Sequence, residues 1–410
     1  MTPASAAVES PVALRSDAEV IALVGLAHAS SHFGHLLLPL MFPVFMREFG
    51  LSYSELGLLM TVFFVVSGVG QACAGFLVDR LGARPLLFVA LGLLAVACIV
   101  AYFAAGYSAL MLVAALAGLG NATFHPVDFT IMNQRVSPAR LGYAFSAHGL
   151  TGNLGWAVAP AFFVGLGGGE HWRNAYAGAA VMYLVLLALM WWHRDTLQTS
   201  VAVATPVQPK KGGDLAFMRL PVVWWCFSFF LLSTMTMAVV QSFAVSILKA
   251  MYGISFESAT MTLTSYMLCG AAGVFFGGFL AARVPASDRV VAVAMACGAA
   301  LLALCGTGLL SPVMMMTVLA ATGFAVGIGG PSRDMMIKKA TPQGATGRVY
   351  GLVYSGLDAG FALSPVIFGA FMDRGLYGAT LIGAALVLLL SVFAALGVGR
   401  RTSGQRRIFR

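Results

Sequence analysis

The chain has 410 residues, 60% of them hydrophobic and only 10% charged, with 24 Lys and Arg against 15 Asp and Glu. This composition excludes a soluble globular domain and points to an integral membrane protein. The net charge of +9 would suit nucleic acid by its size, but its distribution along the chain assigns it to membrane topology instead.

Residues 1–19 carry acids and no apolar core, so they read as a cytoplasmic tail rather than a cleavable signal peptide. Twelve apolar runs follow, at 20–46, 54–79, 85–105, 108–134, 139–167, 174–193, 219–249, 257–283, 288–309, 312–340, 345–372 and 376–398. Each is near the roughly 20 residues a helix needs to cross a bilayer. The runs are continuous rather than alternating, which excludes a β-barrel. The expected fold is therefore all-α, with twelve transmembrane helices in two pseudo-symmetric six-helix bundles at 20–193 and 219–398. Between them, 194–218 is polar, basic and bears Pro and Gly, as a cytoplasmic linker should. Residues 399–410 form a basic cytoplasmic tail.

With both termini in the cytoplasm, every Lys and Arg except Arg47, Arg173, Lys249 and Arg374 falls on the cytoplasmic side. The bias holds even with Arg333 and Arg348 counted as intramembrane, and it is the positive-inside pattern of a plasma (inner) membrane protein. Nucleic acid is thereby dismissed as a partner. The six cysteines all lie in predicted helices without metal-finger or redox spacing and read as buried free thiols.

The halves repeat. A shift of 205 lays Gly118, Pro126, Gly142, Gly155, Ala157 and Pro160 on Gly323, Pro331, Gly347, Gly360, Ala362 and Pro365. Asp128 falls opposite Arg333, and Asn153 opposite Asp358. Duplication of a membrane chain with polar residues at matching positions is expected of a transporter built from repeats.

Between the second and third runs the chain reads Gly75-Phe-Leu-Val-Asp79-Arg80-Leu-Gly82-Ala-Arg84. Gly75 allows close helix contact, Gly82 a tight turn, and Asp79 can meet a helix N-terminus or an arginine. This loop resembles the signature of the major facilitator superfamily, and the resemblance implies that Gly75, Asp79, Arg80, Gly82 and Arg84 work as a gating latch between the halves. The corresponding loop of the second half keeps Gly278 and Arg283 but has Ala282 where the acid would be, so a second latch is not expected. Phe124-His125-Pro126, Gly152-Asn153-Leu-Gly155 and Pro160, with Phe42-Pro43, Glu48-Phe49 and 51–57 at the first outer loop, resemble the fosmidomycin-resistance type of efflux protein. This chain departs from that type after Pro126, where Val127 stands and the nearest acid is Asp128.

Ionisable groups inside a membrane are expensive and mark function. His28, His32 and His35, at spacings of four and three, share one face of the first run; Pro39 and Pro43 should bend its outer part. His125 and Asp128, with Asn121, follow in the fourth run, and His148 and Asn153 in the fifth. Gly149, Gly152 and Gly155 give the fifth run a groove for helix packing. In the second half, Gly329-Gly330-Pro331 should break the tenth run beside Arg333 and Asp334, and Asp358 sits within the eleventh. Arg333 could pair with Asp334, Asp358 or Asp128, or hold a substrate carboxylate or phosphonate. Gln71, Gln241, Ser265 and Tyr354 are further cavity-facing candidates.

The expected activity is proton-coupled secondary transport of a small organic solute or drug, anionic or amphipathic, by alternating access, with efflux favoured and an antiport exchange. No Walker-type loop is present, and no cofactor or resident metal is expected. The partners are solute, protons and the lipid bilayer, and a monomer is expected. The alternatives are an organic-acid uptake symporter, a divalent-metal transporter using the histidine face, or a membrane-embedded enzyme built on His125, Asp128 and His148. The metal reading lacks a His-rich loop or cysteine cluster to collect an ion. Tandem halves and a latch loop weigh against a fixed active site.

Overall fold

The computed structural model describes residues 11–200, 216–284, 286–340 and 346–408. Most of the linker, including Lys210 and Lys211, part of both tails, and the Arg348 side chain lie outside the described residues. The helices are α1 (Pro11–His35), α2 (Phe42–Phe49), α3 (Tyr53–Leu81), α4 (Ala83–Tyr102), α5 (Tyr107–Asn121), α6 (Phe124–Arg135), α7 (Leu141–Gly165) and α8 (Trp172–Trp192) in the first half. The second half holds α9 (Pro221–Tyr252), α10 (Phe256–Arg283), α11 (Ser287–Gly306), α12 (Pro312–Ala340), α13 (Thr346–Asp373) and α14 (Tyr377–Ile408). Taking α1 with α2 and α5 with α6 as single broken crossings leaves twelve among the described residues, six in each half. Eleven of these crossings are apolar enough to span a membrane by composition; α7 is long enough but carries His148, Thr151, Asn153 and five glycines.

Helix breaks fall differently from the sequence expectation. The tenth crossing, α12, runs unbroken through Gly329, Gly330 and Pro331. A membrane helix tolerates the single hydrogen bond that an internal proline removes. The fourth crossing breaks instead at Ala122–Thr123; this places Pro126 in the first turn of α6, where its missing N–H is not needed. The bend expected from Pro39 and Pro43 is present as a short 3₁₀ turn, Pro39–Met41, between α1 and α2. A freed carbonyl there is satisfied from α8: the Tyr176 hydroxyl donates to Leu37 O at 2.6 Å. The final helix continues past the expected end at 398 to Ile408.

The repeat is visible in packing. Gly118 of α5 lies against the Phe63 carbonyl of α3, and Gly323 of α12 against the Tyr266 carbonyl of α10. Gly155 of α7 lies against the Ala29 carbonyl of α1, and Gly360 of α13 against the Leu231 carbonyl of α9. Matching glycines thus let matching helix pairs touch backbone to backbone. The halves meet along two seams related by the same repeat, α3 with α13 and α7 with α10.

These seams are closed at one end. At the end of the bundle far from the chain termini, Gly57 meets the Pro365 carbonyl and Gly369 the Tyr53 carbonyl. Asp373, at the end of α13, accepts from the Tyr53 and Ser54 backbone N–H groups at 2.6 and 3.0 Å and from the Ser54 hydroxyl. It thereby caps the N-terminus of a helix in the other half, alongside the local Ser52–Glu55 capping box. Near the middle, Phe64 and Phe361 stack with centroids 4.4 Å apart. Toward the termini end, Gly75, Gly142 and Gly278, on the same seam-forming helices, face open space. Between lies a cavity of about 500 Å³ lined by Phe64, Gly68, Gln71, Ser355, Asp358 and Ala362, among others. The bundle is closed at the far end and open at the termini end.

Candidate solute and proton site

The first half brings most of the expected polar residues into one cluster. His28, His32 and His35 project from α1 toward α6 and α7, as their shared face requires. The cluster has two layers.

In the layer toward the far end, Ser31 Oγ donates to Asn121 Oδ1 at 2.6 Å, and Asn121 Nδ2 donates to Ser67 Oγ at 2.8 Å. Trp156 Nε1 donates to His35 Nδ1 at 3.2 Å. The His35 proton must then sit on Nε2, which faces Asn121 Oδ1 at 3.1 Å. Both His35 nitrogens are therefore engaged in a neutral structural chain. The other layer is ionisable: Asp128, fully buried, places Oδ2 3.1 Å from both His28 Nδ1 and His148 Nε2. The His28 and His148 rings stack with centroids 3.5 Å apart. Between the layers lie His32, whose Nδ1 is buried without a hydrogen bond, and His125, whose Nδ1 bonds Gln71 Oε1 at 3.0 Å.

Gln71 also lines the central cavity, so it joins the cluster to the space between the halves. In the wall of that cavity Asp358 packs against Gly68 of α3, and among the described residues it holds no hydrogen bond or ion pair. Arg333 takes the first of its three expected partners: Nε donates to Asp334 Oδ1 at 2.9 Å, with the guanidinium over the Phe230 ring. It meets neither Asp128 nor Asp358. Asn153 is also outside the cluster, its amide bonding the Gly149 carbonyl of its own helix at 2.9 Å.

In the loop after α3, Gly82 takes a φ of 81° at the tight turn. Among the described residues nothing packs within 4 Å of where a Gly75 Cβ would stand, contrary to expectation, because the seam is parted at this end. Asp79 is exposed and unpaired among the described residues, Arg80 is exposed, and Arg84 donates to the Arg194 carbonyl at 3.1 Å. Of the other candidates, Ser265 bonds its own helix, Gln241 is buried, and Tyr354 packs on Phe230. Ser31, Ser67 and Trp156 were not anticipated. Ser31 lies three residues from His28 and four from His35, and Trp156 eight from His148, so helical spacing alone places each on the histidine-bearing face.

A family model for the Major Facilitator Superfamily matches residues 24–284 and, in a second match, 226–408. The chain belongs to the Major Facilitator Superfamily. It is 27% identical over 390 residues to the MFS-type transporter YfnC of Bacillus subtilis, covering 92% of each chain. To the fosmidomycin resistance protein of Escherichia coli it is 23% identical over 298 residues, covering 70% of each. Among solved structures it resembles a bacterial homologue of the human lysosomal transporter Spinster in an inward-facing, unoccupied conformation. That likeness has a TM-score of 0.76 at 15% identity, over 96% of this chain and 98% of the other. This superfamily member is a multi-pass membrane transporter of a small molecule, not an enzyme.

Proposed function

We propose that the protein is a proton-coupled transporter that exports a small anionic or amphipathic organic solute across the inner membrane by alternating access. The Lys and Arg bias supports a cytoplasmic termini end, and in that orientation the open cavity faces inward. The observation that carries the coupling is Asp358: a carboxyl in the wall of the cavity shared by both halves, with no hydrogen bond among the described residues. Such a group is available to load and release a proton as the halves rock. Asp128, by contrast, is buried within one half and already held by two imidazoles. Arg333, its Cζ 5.0 Å from the Phe230 ring centroid, supplies a guanidinium suited to a carboxylate or phosphonate. The name of the Escherichia coli relative, a fosmidomycin resistance protein, supports a drug-like solute, and export is the direction that would confer resistance.

The test is reconstitution in liposomes carrying an internal pH dye, with fosmidomycin as the first probe. Protons should move against the solute in the wild type. Asp358→Asn should abolish that flux while solute exchange without a gradient continues. Intact proton coupling in the variant removes Asp358 from the mechanism, and protons moving with the solute would replace export by symport uptake.

Asp79, unpaired in this conformation, is assigned the latch role for the conformation in which the termini end closes. Asp79→Asn should slow exchange about tenfold, the cost of roughly one charged hydrogen bond, with solute affinity unchanged. A large affinity loss with normal exchange would refute it.

A further inference from the structure

We infer that His28, His32 and His125 form a binding site for a first-row divalent transition-metal ion, zinc foremost. This goes beyond the transport reading and does not rest on it. One ring nitrogen from each of the three histidines lies within 4.8 Å of the others. A tetrahedral ion with Zn–N bonds of about 2.0–2.1 Å needs them roughly 3.3 Å apart; side-chain rotation over about an ångström closes the difference.

The hydrogen bonds already present choose the ligating atoms. His28 gives Nδ1 to Asp128, which leaves Nε2 free. His125 gives Nδ1 to Gln71 Oε1, which likewise leaves Nε2. Imidazoles oriented by a carboxylate or an amide behind them are the usual arrangement of metal-binding histidines. His32 presents Nδ1, buried and, among the described residues, without any hydrogen bond. A nitrogen left unsatisfied at that depth is costly unless something fills its lone pair or bonds its proton. Gly152 of α7 makes the room: a Cβ there would stand 2.8 Å from His32 Cε1, 2.9 Å from His32 Nδ1 and 3.0 Å from His28 Nε2. Because the position is a glycine, those two nitrogens converge on a notch.

Stacking alone does not account for this arrangement. The His28–His148 pair is satisfied by stacking and by Asp128, and a second possible triad of His28, Asp128 and His148 is consumed by its own hydrogen bonds. The His28, His32 and His125 triad retains an orphan nitrogen and a notch. Its charge balance is also provided, since Asp128 sits behind His28 with Oδ1 unpartnered. His32 and His125 are half-buried whereas His28 is buried. The fourth coordination position therefore opens on the side of His32 and His125, to water or to an oxygen of a bound solute.

The experiment is titration of chelator-stripped, full-length protein in detergent with ZnCl2 by calorimetry, and with CoCl2 by visible spectroscopy, without a gradient or a solute. The wild type should bind zinc saturably and give the d–d bands of four-coordinate cobalt. His32→Ala should weaken zinc about a hundredfold and remove those bands. Asp128→Asn should weaken zinc roughly tenfold to a hundredfold by loosening His28. Gly152→Ala, which removes no ligand but pushes the His32 and His28 rings out of the notch, should weaken binding. No saturable zinc binding by the wild type, or equal affinity in wild type, His32→Ala and Gly152→Ala, would overturn the assignment. Because transport is not measured, either result leaves the Asp358 reading standing or falling by its own test.

Discussion

Asp373→Ala is expected to unfasten the far end of the seam and to enlarge the population open on that side by roughly thirtyfold. In the present conformation the Asp373 carboxylate accepts from two backbone N–H groups and one hydroxyl across the α13–α3 seam. Being exposed, it makes bonds partly compensated by water in the open state. The three together are therefore worth about 2 kcal/mol rather than the larger sum expected of buried charge-assisted bonds. Only interactions that differ between two conformations bias their equilibrium, and these must break when the far end opens. Spin labels at exposed Leu77 and Phe279, near the open end of α3 and α10, should report a shorter-distance population in the variant than in an Asp373-intact control. Ser54→Ala, which removes one of the three bonds, should lie between. An unchanged distance distribution in Asp373→Ala would show that the cap closes nothing.

Gly155→Ala should destabilise the first half by about 3 kcal/mol or more, whereas Gly149→Ala on the same helix should stabilise it by up to roughly 1 kcal/mol. Both changes gain the same helix propensity. They differ in what the new methyl group meets: at 155 it lands on the Ala29 carbonyl of α1, and at 149 it meets nothing within 4 Å. Backbone cannot swing aside as a side-chain tip can, so α1 and α7 must separate and the histidine cluster between them with it. Thermal unfolding of purified protein followed by intrinsic fluorescence, together with the monodisperse yield, distinguishes the two. Similar stabilities for the two variants would mean that the glycine groove is not a helix contact.

Much of this architecture is legible in the residues because a bilayer permits few alternatives. Twelve apolar runs and a shift of 205 suffice for two matched bundles, and the histidine face of α1 follows from its spacing. Helical period says which residues share a face, but not which neighbour that face meets. Asn153 shows the limit: five residues from His148 turn the helix about 140°, away from the cluster, and the amide turns back on its own carbonyl. Arg333 had three acids within plausible reach and took the adjacent one, a choice set by tertiary distance. The reversal of the two helix breaks has a similar origin. Proline chemistry is the same at 126 and 331, and what differs is whether the surrounding backbone needs the missing donor. Asp373 was invisible for a further reason, since its partners lie across the seam in the other repeat and no local pattern joins them.

The stacked rings of Phe64 and Phe361 sit near the middle of the α3–α13 seam, between a cap that fastens one end and glycines that face open space at the other. In a body that rocks, material at the pivot travels least. Contacts there survive both excursions and favour neither, whereas contacts at the tips exist on one side of the swing only. Distance from the fulcrum thus sorts substitutions along a single helix pair: those at the rings leave the balance between the two conformations where it was, and those at the tips shift it.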